Sequence, residues 1–343
     1  SGEDRLTRAR LHYLYGQVHY FRGQSAEAIG YFRQVLPVAQ ELNDSELLAM
    51  PAYMIGVALA IQGHTIRAQP LLAQAIEPLR EAGLIFEWMR ARMTYAMSLA
   101  GGGDYSAACE HVSQTQGHAT RINNSTMLAI SSMTCDSLVP WLGHDWQTVA
   151  ECSQRAIDAA QRAGDQVYAY VSYGMRAWAR SFMGMHDLAE EDRAMRSRIA
   201  KSMGGQLILA DWFAASDGEI ALNSGQLDQA LKSARTTLAS GGAAPLPMSH
   251  GIAERVVASA LARLGADAAE CDLHFANSIK LFEGGGLVLQ LALTRIFWSG
   301  ALRARGEAEA ALTQLTRAVA QLQQSGCAFA LSQAQRIATQ PLP

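Results

Sequence analysis

The amino-acid sequence predicts an all-α protein in which about eight helix pairs stack into a solenoid. The first observation is a glycine that recurs at steps of 40 or 41 residues, at Gly23, Gly63, Gly103, Gly143, Gly184, Gly225, Gly265 and Gly306. The second is that an apolar run with helical spacing precedes each glycine and another follows within a few residues. A helix–turn–helix unit repeated at a fixed period of roughly 20–50 residues is typical of solenoid proteins.

The composition agrees with a folded helical chain in a reducing compartment. Of 343 residues, 49% are hydrophobic and 17% are charged, which excludes intrinsic disorder. The net charge of −3 gives no general attraction to nucleic acid or to anionic membranes. No run approaches the roughly 18 uncharged apolar residues of a membrane span. Five scattered cysteines without CxxC spacing, and no signal-peptide pattern, predict a cytoplasmic protein.

The first unit shows how the elements are assigned. Its first helix has apolar residues at spacings of three and four, at Leu11, Leu14, Val18 and Phe21. Gly23 is expected to end this helix, because glycine takes the left-handed conformation at little cost. Gly16 is expected where the two helices of the unit approach closely. The buried face of the second helix is predicted at Ala28, Phe32, Val35 and Ala39.

The same pattern divides the whole chain, 1–343, into units of one solenoid domain. The predicted units are 5–43, 44–83, 84–123, 124–164, 165–204, 205–242, 243–284 and 285–326, followed by a closing helix at 327–339. The unit at 124–164 matches worst, since Asp136 stands where a small residue is expected and Pro140 lies near the end of the first helix. We expect a bend or altered packing there.

The order of residues in each unit resembles the tetratricopeptide repeat (TPR). The first helix carries an apolar residue, then Gly or Ala, then Leu; the turn glycine follows; and the second helix carries Ala, then Phe or Leu, then Ala. This resemblance implies a right-handed superhelix, although the period exceeds the usual length of about 34 residues. The longer period is similar to the MalT-like sensor domains of bacterial signalling ATPases (STAND) and LuxR-type regulators. It also resembles the repeat tails of ATPase–nucleotide cyclase proteins and the Rap-type peptide receptors. The tract 278–306 and the Ala/Arg/Gln-rich composition favour the first two groups over the Rap type.

The sequence carries no motif that supports catalysis. Phosphate-binding, dinucleotide-binding, HExxH and GxSxG patterns do not occur. The glycine triplets Gly101–Gly103 and Gly284–Gly286 are expected at helix ends and turns. Cys271 and His274 could share a helix face, but two ligands do not complete a metal site. We therefore expect no enzyme activity, no catalytic residue, no metal and no cofactor.

One charged stretch has two interpretations. Glu190, Glu191 and Asp192 come early in a predicted helix, and arginines and Lys201 follow toward its end. This order suits the helix dipole and is typical of a solvated helix. The alternative is a docking surface for a partner.

The TPR resemblance implies that the first helix of each unit lines a concave groove. Carried over by register, the predicted ligand- or partner-binding residues are Tyr13, Gln17, Tyr20, Tyr53, Arg90, Met93, Met97, Met133, Trp178, Trp212, Glu219 and Arg255. Aromatic side chains with polar tips and flexible methionines suit a partly apolar ligand. The alternative is that many of these residues fill the superhelix interior.

Two functional hypotheses follow. The first is a sensor domain that binds a small molecule, peptide or protein in the groove, within a larger bacterial signal-transduction or transcription regulator. The absence of an initiator Met before Ser1 and Gly2 suggests such a segment of a larger protein. The alternative is a constitutive protein–protein interaction scaffold. The sequence does not predict the oligomeric state.

Overall fold

The computed structural model describes residues 2–133, 137–240 and 245–339, and every regular element in these ranges is a helix. The first part of the chain forms α1 (Gly2–Phe21), α2 (Ser25–Leu42), α3 (Ser45–Gln62), α4 (Thr65–Glu81), α5 (Ile85–Gly101), α6 (Tyr105–Ile122), α7 (Ser125–Met133), α8 (Val139–Leu142) and α9 (Trp146–Ala163). The second part forms α10 (Gln166–Phe182), α11 (His186–Ser202), α12 (Ala210–Asn223), α13 (Leu227–Ala239), α14 (Pro247–Arg263), α15 (Ala268–Gly285), α16 (Val288–Ala304), α17 (Ala308–Ser325) and α18 (Ala328–Thr339).

The helices form an inner and an outer layer. Inner helices pack on one another along the chain, as α10 does on α12, α12 on α14 and α14 on α16. They are buried around most of their circumference, and α10 is buried at nearly every position from Tyr168 to Ser181. Outer helices such as α17 bury a single stripe of residues at spacings of three and four. The expected all-α, TPR-like solenoid is confirmed.

The first helix buries a different face from the one that its apolar spacing predicts. Leu11, Leu14 and Val18 are each about half exposed, at 49%, 55% and 49%. The buried residues of α1 are instead Ala9, Tyr13, Gly16 and Tyr20. α1 packs on α2 through the face that carries Gly16, which lies against Phe32, and its Leu-rich face is left half exposed. The predicted face of α2 is confirmed, because Ala28, Phe32, Val35 and Ala39 are at most 1% exposed.

The recurring glycines lie at the turns between the two helices of a pair. Seven of the eight have positive φ, between 70° and 97°. Gly143 is the exception, with φ −80°, and the next residue, His144, takes φ 61° instead. The left-handed turn residue is therefore shifted by one position in this unit, which the glycine period alone does not predict.

Small residues within the inner helices permit close approach, as expected. A Cβ atom added at Gly16 would lie 2.5 Å from Cε1 of Phe32 on the paired helix. A Cβ atom added at Gly56 would lie 2.7 Å from Cγ of Leu72. A bulky outer-helix residue thus fills the space that a glycine leaves on the inner helix, as close helix packing requires.

The unit around α7 and α8 departs from the others. Ser137 and Leu138 adopt π-helical backbone, and α8 spans only four residues and contains Pro140. Asp136, on which part of the expectation depends, lies outside the described residues. The described part agrees with altered packing in this unit.

The solenoid closes on itself, so that its early helices contact its late ones. The backbone N–H of Ile208 donates to the carbonyl of Phe21 over 3.0 Å. The indole Nε1 of Trp212 donates to the carbonyl of Ile61 over 2.6 Å. Thr65 Oγ1 donates to the carbonyl of Gly285 over 2.7 Å. We call these contacts between distant parts of the chain the seam.

The charged helix α11 is not simply solvated, contrary to one interpretation of its sequence. Asp192 is 2% exposed and accepts hydrogen bonds from Arg176 Nε over 2.9 Å and from Arg180 Nη1 over 2.8 Å. Arg196 is 6% exposed and pairs with Asp217 over 2.8 Å. Only part of this helix, including Glu190 with its 65% exposed side chain, faces solvent.

The expectation that no run approaches the length of a membrane span is wrong for one helix, since α3 is long and apolar enough to cross a membrane by length and composition alone. Of its 18-residue window, 61% is buried inside the structure. A core helix passes the same test, and burial against α4, α5 and α14 accounts for the apolar character of α3.

Candidate functional site

The predicted binding residues lie on inner helices, and those whose side chains the structure describes face the interior of the solenoid. Ten of them are buried, at 7% exposure or less: Tyr13, Tyr20, Tyr53, Arg90, Met93, Met97, Trp178, Trp212, Glu219 and Arg255. Gln17 is half-buried and donates from Nε2 to the Tyr13 hydroxyl over 3.2 Å. The side chain of Met133 lies outside the described part of the structure. The predicted groove is therefore an enclosed interior, whose role in binding stays a prediction.

Five of the predicted residues converge on one cavity, which we call the lumen cavity. The predicted residues that line it are Tyr20, Arg90, Met93, Met97 and Trp212. The other lining residues are Phe21, Val57, Ile61, Thr94, Ile130, Leu138, Val167, Tyr168, Val171, Ile208 and Leu209. The space open to the centres of water-sized spheres is about 50 Å³. Roughly 10–15 Å³ of such space holds one water, so the cavity holds roughly three to five.

Arg90 supplies the charge in this cavity. Its guanidinium carbon lies 5.3 Å from the ring centre of Tyr20, 5.5 Å from that of Phe21 and 5.7 Å from that of Phe86. Such cation–π contacts stabilise a desolvated arginine. Arg90 is 7% exposed. No carboxylate of the described residues forms an ion pair with it; it shares a side-chain hydrogen bond with Tyr20, and its other close neighbours are aromatic faces.

The tyrosines around Arg90 do not neutralise it. Burial raises the pKa of Tyr20, Tyr53 and Tyr168, and the nearby Arg90 opposes this only in part. Burial, reinforced by Tyr53, likewise raises the pKa of Tyr13. These phenols are therefore neutral at physiological pH. They supply hydrogen-bonding hydroxyls and no negative charge.

A second group of predicted residues forms a network whose members satisfy one another. Glu219 Oε1 accepts from Arg255 Nε over 3.0 Å and from Arg255 Nη2 over 2.8 Å. Glu219 Oε2 accepts from Trp178 Nε1 over 2.8 Å. Arg255 Nη1 also donates to Gln290 Oε1 over 3.0 Å and to Thr294 Oγ1 over 3.2 Å. The charges are paired, so this network needs no ligand to be satisfied.

Three tryptophans lie between the network and the lumen cavity. Trp141 lies 4.7 Å from Trp178 and 5.4 Å from Trp212, measured between ring centres. All three are at most 1% exposed. Trp178 thus belongs to the packed core and the network, whereas Trp212 belongs to the cavity wall and the seam.

One wall of the lumen cavity comes from the connection between α11 and α12. Ile208 and Leu209 line it, and Leu209 takes φ 62° immediately before α12. The same two residues and Ile61 line a second, more open cavity of about 460 Å³ on the other side. Asp211 also lines that outer cavity, and burial raises the pKa of its carboxyl. A thin apolar wall therefore separates the lumen cavity from a larger outer one.

Sequence reasoning missed several cavity residues for identifiable reasons. Tyr168 lies ten residues, nearly three helical turns, before Trp178, which is the position carried over by register in α10. Ile208 and Leu209 lie outside any regular helix, and no register position of a repeat extends to them. These residues would have been predicted if the TPR groove positions had been extended to the segment that precedes each inner helix.

The described residues hold no group of three or more His, Cys, Asp or Glu side chains that could bind a metal ion. Cys271 is buried, and His274 contacts Glu254 through Nδ1. The described residues that line the lumen cavity offer apolar contact, the hydroxyls of Tyr20, Tyr168 and Thr94, and the positive charge of Arg90.

Comparisons with known proteins agree with the fold. Residues 7–81 match the family model of the tetratricopeptide repeat. None of the curated protein sequences matches the chain. The structure is similar to a Rap protein complexed with Competence and Sporulation Factor, with a TM-score of 0.59 at 11% identity, over 97% of this chain and 96% of that chain.

Two further solved structures resemble it more loosely. The apo form of RapI gives a TM-score of 0.44 at 10% identity, over 92% of this chain and 98% of that one. Yeast Tom70 gives 0.47 at 13% identity, over 96% of this chain and 64% of that one. The closer resemblance to MalT-like sensor domains stays a prediction. What the matched repeats and the Rap protein's fold show is a tetratricopeptide-like helical solenoid.

Proposed function

We propose that this solenoid is a non-catalytic, cytoplasmic sensor domain of a larger bacterial signal-transduction or transcription regulator. Its effector, a small molecule or peptide, binds in the interior. The observation that carries the proposal is the lumen cavity, where Tyr20, Arg90, Met93, Met97 and Trp212 converge. Repeat solenoids commonly bind partners on their concave side, which is the side these residues occupy.

The seam gives the effector a way to change the shape of the domain. Trp212 both lines the lumen cavity and donates to Ile61 across the seam. Phe21 lines the cavity and accepts from Ile208 across the seam. An effector that contacts these residues has different affinities for the closed and the opened solenoid. It therefore shifts the equilibrium between the two states by that difference.

A peptide remains among the effector classes to be tested. The similar Rap protein structure contains Competence and Sporulation Factor. At 11% identity the two chains share a fold, and the ligand of one is not carried over to the other. The screen below therefore includes peptides beside sugars and small metabolites.

The test is a thermal-shift screen with a variant that fills the cavity. An effector at 100 times its Kd should add about 2.7 kcal/mol to the free energy of unfolding. Val171→Phe places a larger side chain in the cavity wall and should abolish this shift. Val18→Phe makes the same change on the half-exposed face of α1 and should keep it. An effector whose shift survives Val171→Phe does not bind in the lumen cavity, and the proposal would then be wrong.

The second candidate is a constitutive protein–protein scaffold. The observation that favours it is an apolar stripe on α1 at spacings of three and four, formed by Leu11, Leu14, Tyr15 and Val18, all about half exposed. Exposed apolar patches often mark protein contacts. If the stripe is a contact between copies, sedimentation should show association that rises with concentration and that Leu14→Glu removes. If the protein sediments as a monomer at all concentrations, the stripe is not a contact between copies.

A further inference from the structure

Arg90 differs from the other buried arginines of the described chain. Five arginines are at most 8% exposed: Arg90, Arg176, Arg196, Arg255 and Arg295. The last four each pair with a carboxylate, at 2.5, 2.8, 2.8 and 3.5 Å respectively. Arg90 has aromatic neighbours and a side-chain hydrogen bond with Tyr20, but among the described residues it has no carboxylate partner. Burying an unpaired charge is costly, and arginine does not lose its proton to avoid this cost.

The place of Arg90 shows where a counter-ion would sit. Arg90 lines the lumen cavity together with Tyr20, on whose ring its guanidinium packs. The cavity is otherwise walled by apolar side chains, by the hydroxyl-bearing side chain of Thr94 and by the neutral phenol of Tyr168. A negative group of a ligand in this cavity would contact one cation and two hydroxyl-bearing rings. The remainder of the ligand would contact methionine, valine, isoleucine and tryptophan side chains.

We infer that the lumen cavity binds a small monocarboxylic acid with an apolar body, whose carboxylate pairs with Arg90. This inference rests on the proposed function, since it names the chemical class of the effector of that same site. A guanidinium binds a carboxylate through paired hydrogen bonds. The aromatic and aliphatic walls suit the apolar body.

The charge and the size of the cavity favour this class over others. A phosphate ester carries close to two charges, whereas Arg90 is the single cation among the described residues that line the cavity. The roughly three to five waters that the cavity holds correspond to roughly 90–150 Å³ of liquid, about the liquid volume of a two- to four-carbon acid. A peptide backbone would need hydrogen-bonding groups along its length, and the walls here are mostly apolar.

The experiment compares an acid with its own amide by titration calorimetry on the full chain. Propionate and butyrate are the probes, and propionamide and butyramide have the same shapes without the charge. Each acid should bind more tightly than its amide by about tenfold or more. A short peptide ending in phenylalanine, with a free or an amidated C-terminus, tests whether a peptide end supplies the carboxylate instead.

Arg90→Met should remove the preference for the acids over the amides. Arg67→Met makes the same change at an exposed position on α4 and should leave the preference intact. Because Arg90→Met removes an unpaired buried charge, the variant without ligand should melt at the same temperature or higher. A fall in melting temperature, with acid binding retained, would show that Arg90 only holds its aromatic neighbours together, and would overturn the inference.

The outcomes separate this inference from the proposed function. If acids and amides bind equally and Val171→Phe abolishes both, the cavity is a binding site but the inference about a carboxylate is wrong. If only the peptide with the free C-terminus binds, the small-acid class is wrong. If neither acids, amides nor peptides bind, and the wider screen finds no ligand blocked by Val171→Phe, the proposed function fails as well.

Discussion

The seam can be tested by adding one methyl group on each of two matched glycines. Gly23 and Gly83 both have φ 72°, so an alanine at either position meets the same backbone strain. A Cβ atom on Gly83 has no neighbour within 4 Å. A Cβ atom on Gly23 lies 2.7 Å from the carbonyl oxygen of Leu207, across the seam. The difference between the two variants therefore isolates the contact.

The magnitudes follow from these contacts. Placing alanine in the left-handed region costs about 1–2 kcal/mol, which is all that Gly83→Ala should lose. In Gly23→Ala the obstacle is a backbone atom, which cannot rotate away as a side chain can. Overpacking of this kind adds about 1–3 kcal/mol, so Gly23→Ala should lose about 2–5 kcal/mol in all.

The assay is urea unfolding together with hydrogen exchange at the amide of Ile208. That amide donates to Phe21 across the seam, so its protection should fall in Gly23→Ala and persist in Gly83→Ala. Equal losses of unfolding free energy in the two variants, with equal protection at Ile208, would refute the closed arrangement of the solenoid.

Three further variants test the interior. Glu219→Gln leaves Arg255 buried without its charge partner and should lower the free energy of unfolding in urea by about 3–5 kcal/mol; a loss under about 1 kcal/mol would contradict a buried pair. Gly16→Leu should cost about 1–3 kcal/mol against Phe32, and Phe32→Ala in the same chain should recover part of it. Burial, aided by Arg255, lowers the pKa of His144 to about 3 in the folded protein. At a pH below the ordinary histidine pKa of about 6.5, unfolding exposes the ring and it takes up a proton. Stability should therefore fall as pH drops from about 6.5 toward 3, and unfolding measured against pH should show a shallower fall for His144→Phe.

Local patterns in the sequence are sufficient to predict the helix pairs. The glycine period and the stripe from Ala28 to Ala39 depend on neighbours a few residues away, and the structure bears them out. The face of α1 is different, because two faces of that helix are apolar. Which one is buried depends on the fit between Gly16 and Phe32, and Leu14 stays exposed. Hydrophobic spacing does not resolve a choice between two apolar faces.

The candidate site could be predicted only in its inner-helix part. Register within the repeat places Tyr20, Arg90 and Trp212 on the interior, and they line the cavity. The wall formed by Ile208 and Leu209 follows from contacts across the seam, which join residues far apart in the chain. A repeat pattern describes how each unit meets its neighbour, and it carries no information on where the solenoid meets itself.

Closure of the solenoid also changes the expected cooperativity of unfolding. In an open repeat array each unit contacts only its neighbours, so distant units can unfold separately. Here Thr65 bonds to Gly285, 220 residues away, and Trp212 bonds to Ile61, 151 residues away. Opening the early helices therefore also removes contacts from the late ones. Ile61 and Trp212 also line the lumen cavity, so under the proposed function an effector bound there would stabilise both parts of the chain at once and would thereby act on the shape of the whole solenoid.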